Sequence, residues 1–146
     1  MREILFRGKR YMDGEWVDGS LFIDEKKEKH EILVGYVNYR YGWEVDPATV
    51  GQYTGLKDKN GVKIFEGDMF RMDDDEDEVG VIIFKDGCFR LEIHGLCGTW
   101  TESGFEECGG GYGIIECEPI DYWYIRDMEV ISNIWDNPEL LKGEEK

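Results

Sequence analysis

Short apolar stretches, separated by glycine and acidic residues, run along most of this chain and predict strands rather than helices. The most regular alternation of apolar and polar positions lies in residues 79–94, where Leu91 and Ile93 share one side of the second half. Asp86 and Gly87 interrupt this stretch at a position typical of a two-residue turn. The pattern therefore predicts a β-hairpin.

The rest of the pattern adds several short strands and turns. Turns are expected at Asp18-Gly19 and at Asp58–Gly61, where Asn60 and Gly61 can take the left-handed conformation. Residues 96–113, rich in glycine and acid, predict a long loop or an irregular hairpin. Further strands are expected at 3–7, 15–23, 32–39, 64–72, 114–117, 123–125 and 129–134.

Length and composition fit one domain built from these strands. The chain has 146 residues, of which 41% are hydrophobic and 14% are aromatic, so it can bury a core and is not a disordered chain. Near the end, Asn137 as N-cap and Pro138 as the first helical residue predict a short helix. We therefore expect a mainly β fold, a small barrel or sandwich with a short C-terminal helix.

No apolar run is long enough to span a membrane, and the charged N-terminus lacks the apolar core of a secretory signal. We expect a soluble, cytoplasmic protein without membrane contact.

Charge is divided unevenly along the chain. Residues 1–65 contain 11 basic and 11 acidic side chains, whereas residues 66–146 contain 6 and 22, which accounts for the whole net charge of −16. Binding to DNA or RNA requires Lys and Arg to neutralise phosphate, so direct nucleic-acid binding is disfavoured. The acid excess serves solubility in the simplest interpretation. It also fits attraction to a positively charged partner, which can be a protein, a metal ion or a DNA-binding surface that normally binds the phosphates the acidic face imitates.

Two blocks of sequence carry a resemblance to a known family. They are VGQYTGLKDKNGVKIFEGD at Val50–Asp68 and ISNIWDNPELL at Ile131–Leu141, with REILFR at Arg2–Arg7 as a weaker third. In these blocks the chain resembles the YopX-type bacteriophage and prophage proteins, although Ser132 stands where that family usually carries glycine in its closing strand. The resemblance implies an SH3-like β-barrel after an N-terminal β-rich segment, and no established biochemical activity.

The resemblance also implies how the single domain of residues 1–146 is organised. Residues 1–45 form the N-terminal β-rich segment and residues 46–62 the connecting signature segment. The SH3-like barrel then occupies 63–136, and a short helix and tail occupy 137–146.

Metal sites and cofactors are not expected. The four cysteines are eight to ten residues apart, whereas structural zinc sites pair cysteines two to four residues apart, so reduced thiols without zinc are expected. The acidic run Asp73–Glu78 offers oxygen ligands but lacks the spacing of a calcium loop. The cysteines are Cys88, Cys97, Cys108 and Cys117.

Catalytic arrangements are also sparse. Of the two histidines, His30 lies in a charged connection, and His94 lies on one strand face with Cys88 and Glu92. Strand geometry puts these two about 20 Å and 7 Å from His94, too far for a nucleophile and its base. The glycine-rich stretch 109–113 follows acidic residues and has no Lys nearby, so it does not predict a phosphate site.

A protein interface is the remaining expectation. The leading hypothesis is a non-enzymatic phage accessory protein that binds protein or itself, the alternative is an acidic decoy of a host DNA-binding protein, and an enzyme is a distant third. Self-association is expected through residues 1–45, where apolar strands outside the barrel cannot bury both faces. Aromatic rings on both sides of the 121–124 strand extend this expectation. The candidate interface residues are Ile4, Phe6, Trp16, Leu21, Ile23, Tyr122 and Tyr124.

Overall fold

The fold is mainly β, as predicted, and consists of two antiparallel sheets. The computed structural model describes residues 2–36, 39–71, 78–121 and 125–142, with the backbone alone at 36, 39–40, 96–101, 104–113, 115–116 and 142. The chain divides into two compact units, an N-terminal unit Met1–Gly55 and a C-terminal unit Leu56–Lys146. The division falls inside the segment predicted to connect the two parts.

Eleven strands are found in the described residues: β1 Phe6–Lys9, β2 Trp16–Asp24, β3 Lys29–Tyr36, β4 Tyr39–Val45, β5 Gly51–Lys57, β6 Lys63–Phe65, β7 Asp68–Arg71, β8 Val79–Lys85, β9 Cys88–Thr101, β10 Gly104–Pro119 and β11 Val130–Asn133. Their order is β4-β3-β2-β1-β5-β6 in one sheet and β10-β9-β8-β7-β11 in the other. Short 3₁₀ helices occupy Pro47–Thr49 and Pro138–Lys142. The described strands form no closed barrel.

Strand β2 pairs with a different neighbour in each of its two halves. Its first half, up to Gly19, pairs with β1, and its second half, from Ser20, pairs with β3. A Cβ at Gly19 would overlap the carbonyl oxygen of Leu33. The predicted turn at Asp18-Gly19 is therefore wrong. Both residues lie within one continuous strand, and the glycine lets its backbone come close to the backbone of the neighbouring strand.

The N-terminal sheet curls until the end of β4 returns to the end of β1. Arg10 bridges to Val45, and the Asp46 N–H donates to the Lys9 carbonyl over 2.9 Å. A Cβ at Gly8 would lie 3.0 Å from the Val45 side chain, so only glycine lets the strands approach this closely. The enclosed core is small, because three apolar residues of this unit are buried among those described: Ile32, Val45 and Tyr53.

The C-terminal sheet is buried on both faces. Phe70, Ile82, Leu91 and Ile93 lie on one face, and Ile64 and Ile125 complete that cluster. The other face presents Met69, Val79 and Val81, and Ile134, Leu140 and Leu141 from the C-terminal segment pack against it. Strand β8 is consequently apolar at nearly every position, which is typical of a strand covered on both sides.

The hairpin predicted at 79–94 is confirmed as β8 and the first half of β9. Asp86 and Gly87 have φ values of 54° and 80°, as a turn with two left-handed residues requires. In contrast, the single strand predicted at 64–72 is wrong. A turn at Glu66 and Gly67, whose glycine has a φ of 87°, divides it into β6 and β7.

Strands β9 and β10 continue beyond the sheet as a two-stranded ribbon. Strand β8 pairs with β9 as far as His94, whereas β9 and β10 remain paired to Thr101 and Gly104. The register shifts between Glu107 and Tyr112, which leaves four β10 residues opposite one β9 residue. Of the two forms predicted for residues 96–113, the irregular hairpin is confirmed.

Candidate functional site

The carboxylate of Asp58 joins the first signature block to β11, the strand in which the second block begins. Its Oδ1 accepts the N–H groups of Asn60 and Val62 over 2.8 and 2.9 Å, and its Oδ2 accepts the N–H of Val130 over 3.1 Å. Asp58 is 6% exposed, and Gly61 takes a φ of 79° to complete the turn. A carboxylate that accepts three N–H groups ties this turn to β11.

A second tie lies at the turn before β7. The N–H of Gly67 donates to the Ile82 carbonyl over 2.7 Å, and its carbonyl accepts the N–H of Ile134 over 3.0 Å. The ring of Trp135 occupies the space where a Cβ on residue 67 would lie. Asp68, only 1% exposed, accepts the N–H of Phe65 over 2.8 Å.

Asn133 shapes the C-terminal signature block. Its Oδ1 accepts the N–H groups of Trp135 and Asp136 over 3.0 and 2.9 Å, and this turns the chain toward the last 3₁₀ helix. Ser132 lies in β11, and its hydroxyl donates to the Asn137 side chain. Among described residues other than glycine, only Glu28 and Asp86 have positive φ, so the backbone at Ser132 does not require glycine.

The polar signature residues described above therefore hold the backbone of the fold. Asp58, Asp68 and Asn133 are buried, and each accepts backbone N–H groups. Sequence reasoning missed these roles. The available signal was the Asp-Lys-Asn-Gly order, since Asp at the start of a turn commonly accepts the N–H groups that follow it.

His94 and Glu92 are in contact, although the sequence analysis placed them too far apart. The His94 Nε2 lies 2.7 Å from the Glu92 Oε1, and the side chains are 14% and 20% exposed. The expectation of about 7 Å was wrong because it used the backbone spacing, whereas two long side chains on one strand face can lean together. No group of three or more His, Cys, Asp or Glu suited to a metal occurs among the described residues.

The cysteines are spread along the β9–β10 hairpin. Cys88 and Cys97 are nine residues apart on one continuous strand, which corresponds to about 30 Å. Cys117 is the register partner of Glu92, between these two positions. A single four-thiolate site is incompatible with this placement. The acidic run from Asp73 to Asp77 lies outside the described residues.

The residues predicted as a protein interface have different exposures. Ile4 and Ile23 are 57% and 50% exposed, whereas Phe6 and Leu21 are half-buried. Tyr122 and Tyr124 lie outside the described residues.

Trp16, also in that predicted interface, is covered by cations. Its ring centre lies 4.7 Å from the Arg7 guanidinium carbon and 5.4 Å from the Lys9 Nζ. Both cations follow the same face of β1, two residues apart. The Trp16 ring therefore makes cation–aromatic contacts and does not present an open apolar surface.

The turn between β1 and β2, residues 10–15, presents two apolar side chains to solvent and is called the hairpin tip below. Tyr11 and Met12 are 60% and 80% exposed. Asp13 pairs with Arg10 through both guanidinium and carboxylate groups, and its Oδ1 also accepts the Glu15 N–H over 3.0 Å. The hydrogen bond from Arg10 holds the pKa of Asp13 below its usual value of 3.8.

The hairpin tip is attached to strand β4. The N–H of Tyr11 donates to the Glu44 carbonyl over 3.1 Å, and the Arg10 guanidinium carbon lies 3.9 Å from the Trp43 ring centre. Tyr41, which is 44% exposed, meets Trp43 edge to face. Tyrosine, tryptophan, arginine and methionine are the side chains enriched where proteins bind one another. The hairpin tip was not among the residues predicted from the sequence. The sequence signal for it is an Arg and an Asp on either side of Tyr11 and Met12, which can pair and hold the turn.

The chain consists of two mainly β units, and the signature segments tie the C-terminal unit together internally. The sequence profile of the YopX protein family matches residues 5–142, and the chain belongs to that family. It is also similar to the crystal structure of protein EF1440 from Enterococcus faecalis, with 22% identity, a TM-score of 0.42, and coverage of 97% of this chain and 99% of that one. A comparison with curated proteins gives no match. In the described residues, no helix has the length and apolar character needed to cross a membrane.

Proposed function

We propose that this protein is a non-enzymatic phage or prophage accessory protein of the host cytoplasm that acts by binding protein, in the first place a second copy of itself. It binds neither nucleic acid directly nor membrane. The observation that carries this proposal is the hairpin tip. The Arg10–Asp13 pair holds the backbone of this turn while Tyr11 and Met12 stay exposed to solvent. Binding through these side chains would therefore cost little backbone conformational entropy.

The small core of the N-terminal unit supports self-association. Three apolar residues of this unit are buried, whereas ten are buried in the C-terminal unit, counted over the described residues. Units of this size bury little of their surface alone, and covering Ile4, Ile23, Tyr11 and Met12 in a second copy would add to that burial.

Self-association through the tip predicts a salt-resistant oligomer. In about 0.5 M salt the Debye length is about 4 Å, so charge repulsion is screened while apolar contacts persist. Light scattering should then give a mass above the 17.0 kDa of one chain. Changing Tyr11 and Met12 together to Ser should weaken association about tenfold or more.

Phe84→Ser is the matched control for this test. Phe84 is 53% exposed but lies on β8 in the C-terminal unit, so its loss should leave the association unchanged. A monomer of the unaltered chain in 0.5 M salt, or equal effects of the tip and control variants, would end the proposal.

We also propose the finer fold that the family resemblance implies for 63–136, an SH3-like barrel, with the C-terminal turn as its short helix. The support is strand order. A meander of β7 to β10 with β11 returning beside β7 is the arrangement of an SH3-like barrel that is opened at one edge.

The alternative function, an acidic decoy, is favoured by one observation. All of the net charge of −16 arises after residue 65, and no basic residue occurs between Arg90 and Arg126. A pull-down from host lysate at low and high salt separates the two functions. A basic host protein that binds only at low salt supports the decoy, whereas a partner retained at high salt and lost with the Tyr11 and Met12 changes supports the apolar tip.

A further inference from the structure

The turn that Asp58 closes contains the dipeptide Asn60-Gly61, and both residues are exposed. Asparagine before glycine is chemically labile, because the glycine backbone nitrogen can attack the side-chain amide carbon and no Cβ hinders its approach. Each of the other three asparagines precedes a larger residue: Asn38 precedes Tyr, Asn133 precedes Ile and Asn137 precedes Pro. Asn60 is therefore the asparagine with the least hindered route to deamidation.

Two hydrogen bonds restrain the reacting groups while the turn is closed. The Gly61 N–H donates to the Asp58 carbonyl over 3.0 Å, and the Asn60 Nδ2 donates to the Glu129 Oε1 over 3.1 Å. The first bond shields the proton that the Gly61 nitrogen must lose before it attacks. The second restrains the side chain that must turn toward this nitrogen. The reaction therefore proceeds from the small population of chains in which the turn has opened.

Deamidation changes the charge at the contact between residues 60 and 129. A carboxylate at position 60 has no N–H to donate, so it would face the Glu129 carboxylate as a like charge. The Lys59 Nζ lies 3.6 Å from the Glu129 Oε2, but both side chains are half-exposed and the pair offsets little of this repulsion. An isoaspartate would also lengthen the backbone of a turn whose N–H groups at Asn60 and Val62 fit one oxygen of Asp58. Either product loosens the turn.

We propose that Asn60 is a deamidation site gated by this turn, and that the reaction converts the chain irreversibly to a form with a loosened first signature block. The Gly61 nitrogen gives up its proton to solvent and adds to the Asn60 Cγ. A succinimide forms as ammonia leaves with a proton taken from solvent. Water then opens the ring at either carbonyl and gives aspartate or isoaspartate. The sum is one water consumed and one ammonia released, without an oxidant or a reductant.

The test follows the full chain during incubation at mildly alkaline pH. Peptide mapping by mass spectrometry should locate the conversion of amide to acid at Asn60, with aspartate and isoaspartate both present. The rate should rise about tenfold or more when urea unfolds the chain, because every chain then has an open turn.

Changes of Glu129 test the gate. Glu129→Ala should raise the rate in the folded chain about threefold or more, because the Asn60 side chain loses its acceptor and the open turn becomes more populated. Glu129→Gln keeps a side-chain oxygen that can accept from Asn60, so its rate should stay close to that of the unaltered chain. Asp127→Ala removes an 82% exposed carboxylate nearby and is the matched control, also with an unchanged rate. In urea all four chains should react alike.

Asn60→Asp imitates one product and tests the loosening directly. Hydrogen exchange at the N–H groups of Val62 and Val130, which both donate to Asp58, should be about threefold faster in this variant. Unchanged exchange at both positions would overturn the loosening. Equal deamidation rates in folded and unfolded chains, an unchanged rate in Glu129→Ala, variants that still differ in urea, or a faster reaction at another asparagine would overturn the gated site.

Discussion

Replacing Asp58 with Ala should destabilise the C-terminal unit by about 4 kcal/mol, because three part-buried hydrogen bonds lose their shared carboxylate acceptor together. The change also removes the bond from Val130 that ties the start of β11 to this turn, while β11 keeps its pairing with β7. Asp58→Asn should cost about half as much, because its oxygen still accepts two N–H groups while its amide meets a third donor. Urea unfolding followed by tryptophan fluorescence measures both values.

Asp127→Ala is the control for this result. The Asp127 side chain is 82% exposed and pairs only weakly with its neighbour Arg126, so its removal should change stability by less than about 0.5 kcal/mol. Equal losses for Asp58→Ala and Asp127→Ala would show that the signature carboxylate does not hold the turn.

Gly67→Ala should be comparably damaging, at about 3–4 kcal/mol. A residue with a Cβ is strained at a φ of 87°, which costs about 1 kcal/mol, and the remainder comes from overlap with the Trp135 ring. The backbone of Trp135 is held in place, because its main-chain N–H donates to the Asn133 Oδ1 in the turn that follows β11. Urea unfolding again gives the value.

Gly61→Ala separates the two causes. Gly61 has a φ of 79° and open space around it, so alanine there should cost only the strain, about 1 kcal/mol. In a Trp135→Leu background the cost of Gly67→Ala should fall toward that value. If Gly67→Ala and Gly61→Ala cost the same in the unaltered chain, the ring contact has no energetic role.

The sequence predicted those parts of the fold in which local chemistry decides the structure. Asp86-Gly87 makes its turn and 79–94 makes its hairpin because turn residues and alternation agree there. The turn prediction failed at Asp18-Gly19. There the same Asp-Gly dipeptide lies within a strand, and its glycine allows close contact with the backbone of Leu33 in the neighbouring strand. Such a contact joins distant segments, and turn propensity holds no information about it.

The candidate site was harder to predict for a related reason. Trp16 reads as an exposed apolar residue in the sequence, but Arg7 and Lys9 cover its ring once β1 and β2 pair. Met12 reads as an ordinary turn residue, but the Arg10–Asp13 ion pair and the contact with Trp43 fix its turn in place. Both outcomes depend on strand pairing and not on residue type.

Strand β10 lies at the edge of its sheet, which gives the acidic residues along it an effect beyond solubility. A long unpaired strand edge is a template on which further chains can stack into fibrils. Glu106, Glu107, Glu116 and Glu118 lie along this strand, so an approaching copy of β10 would bring like charges together. Like charges at these positions would therefore oppose such stacking.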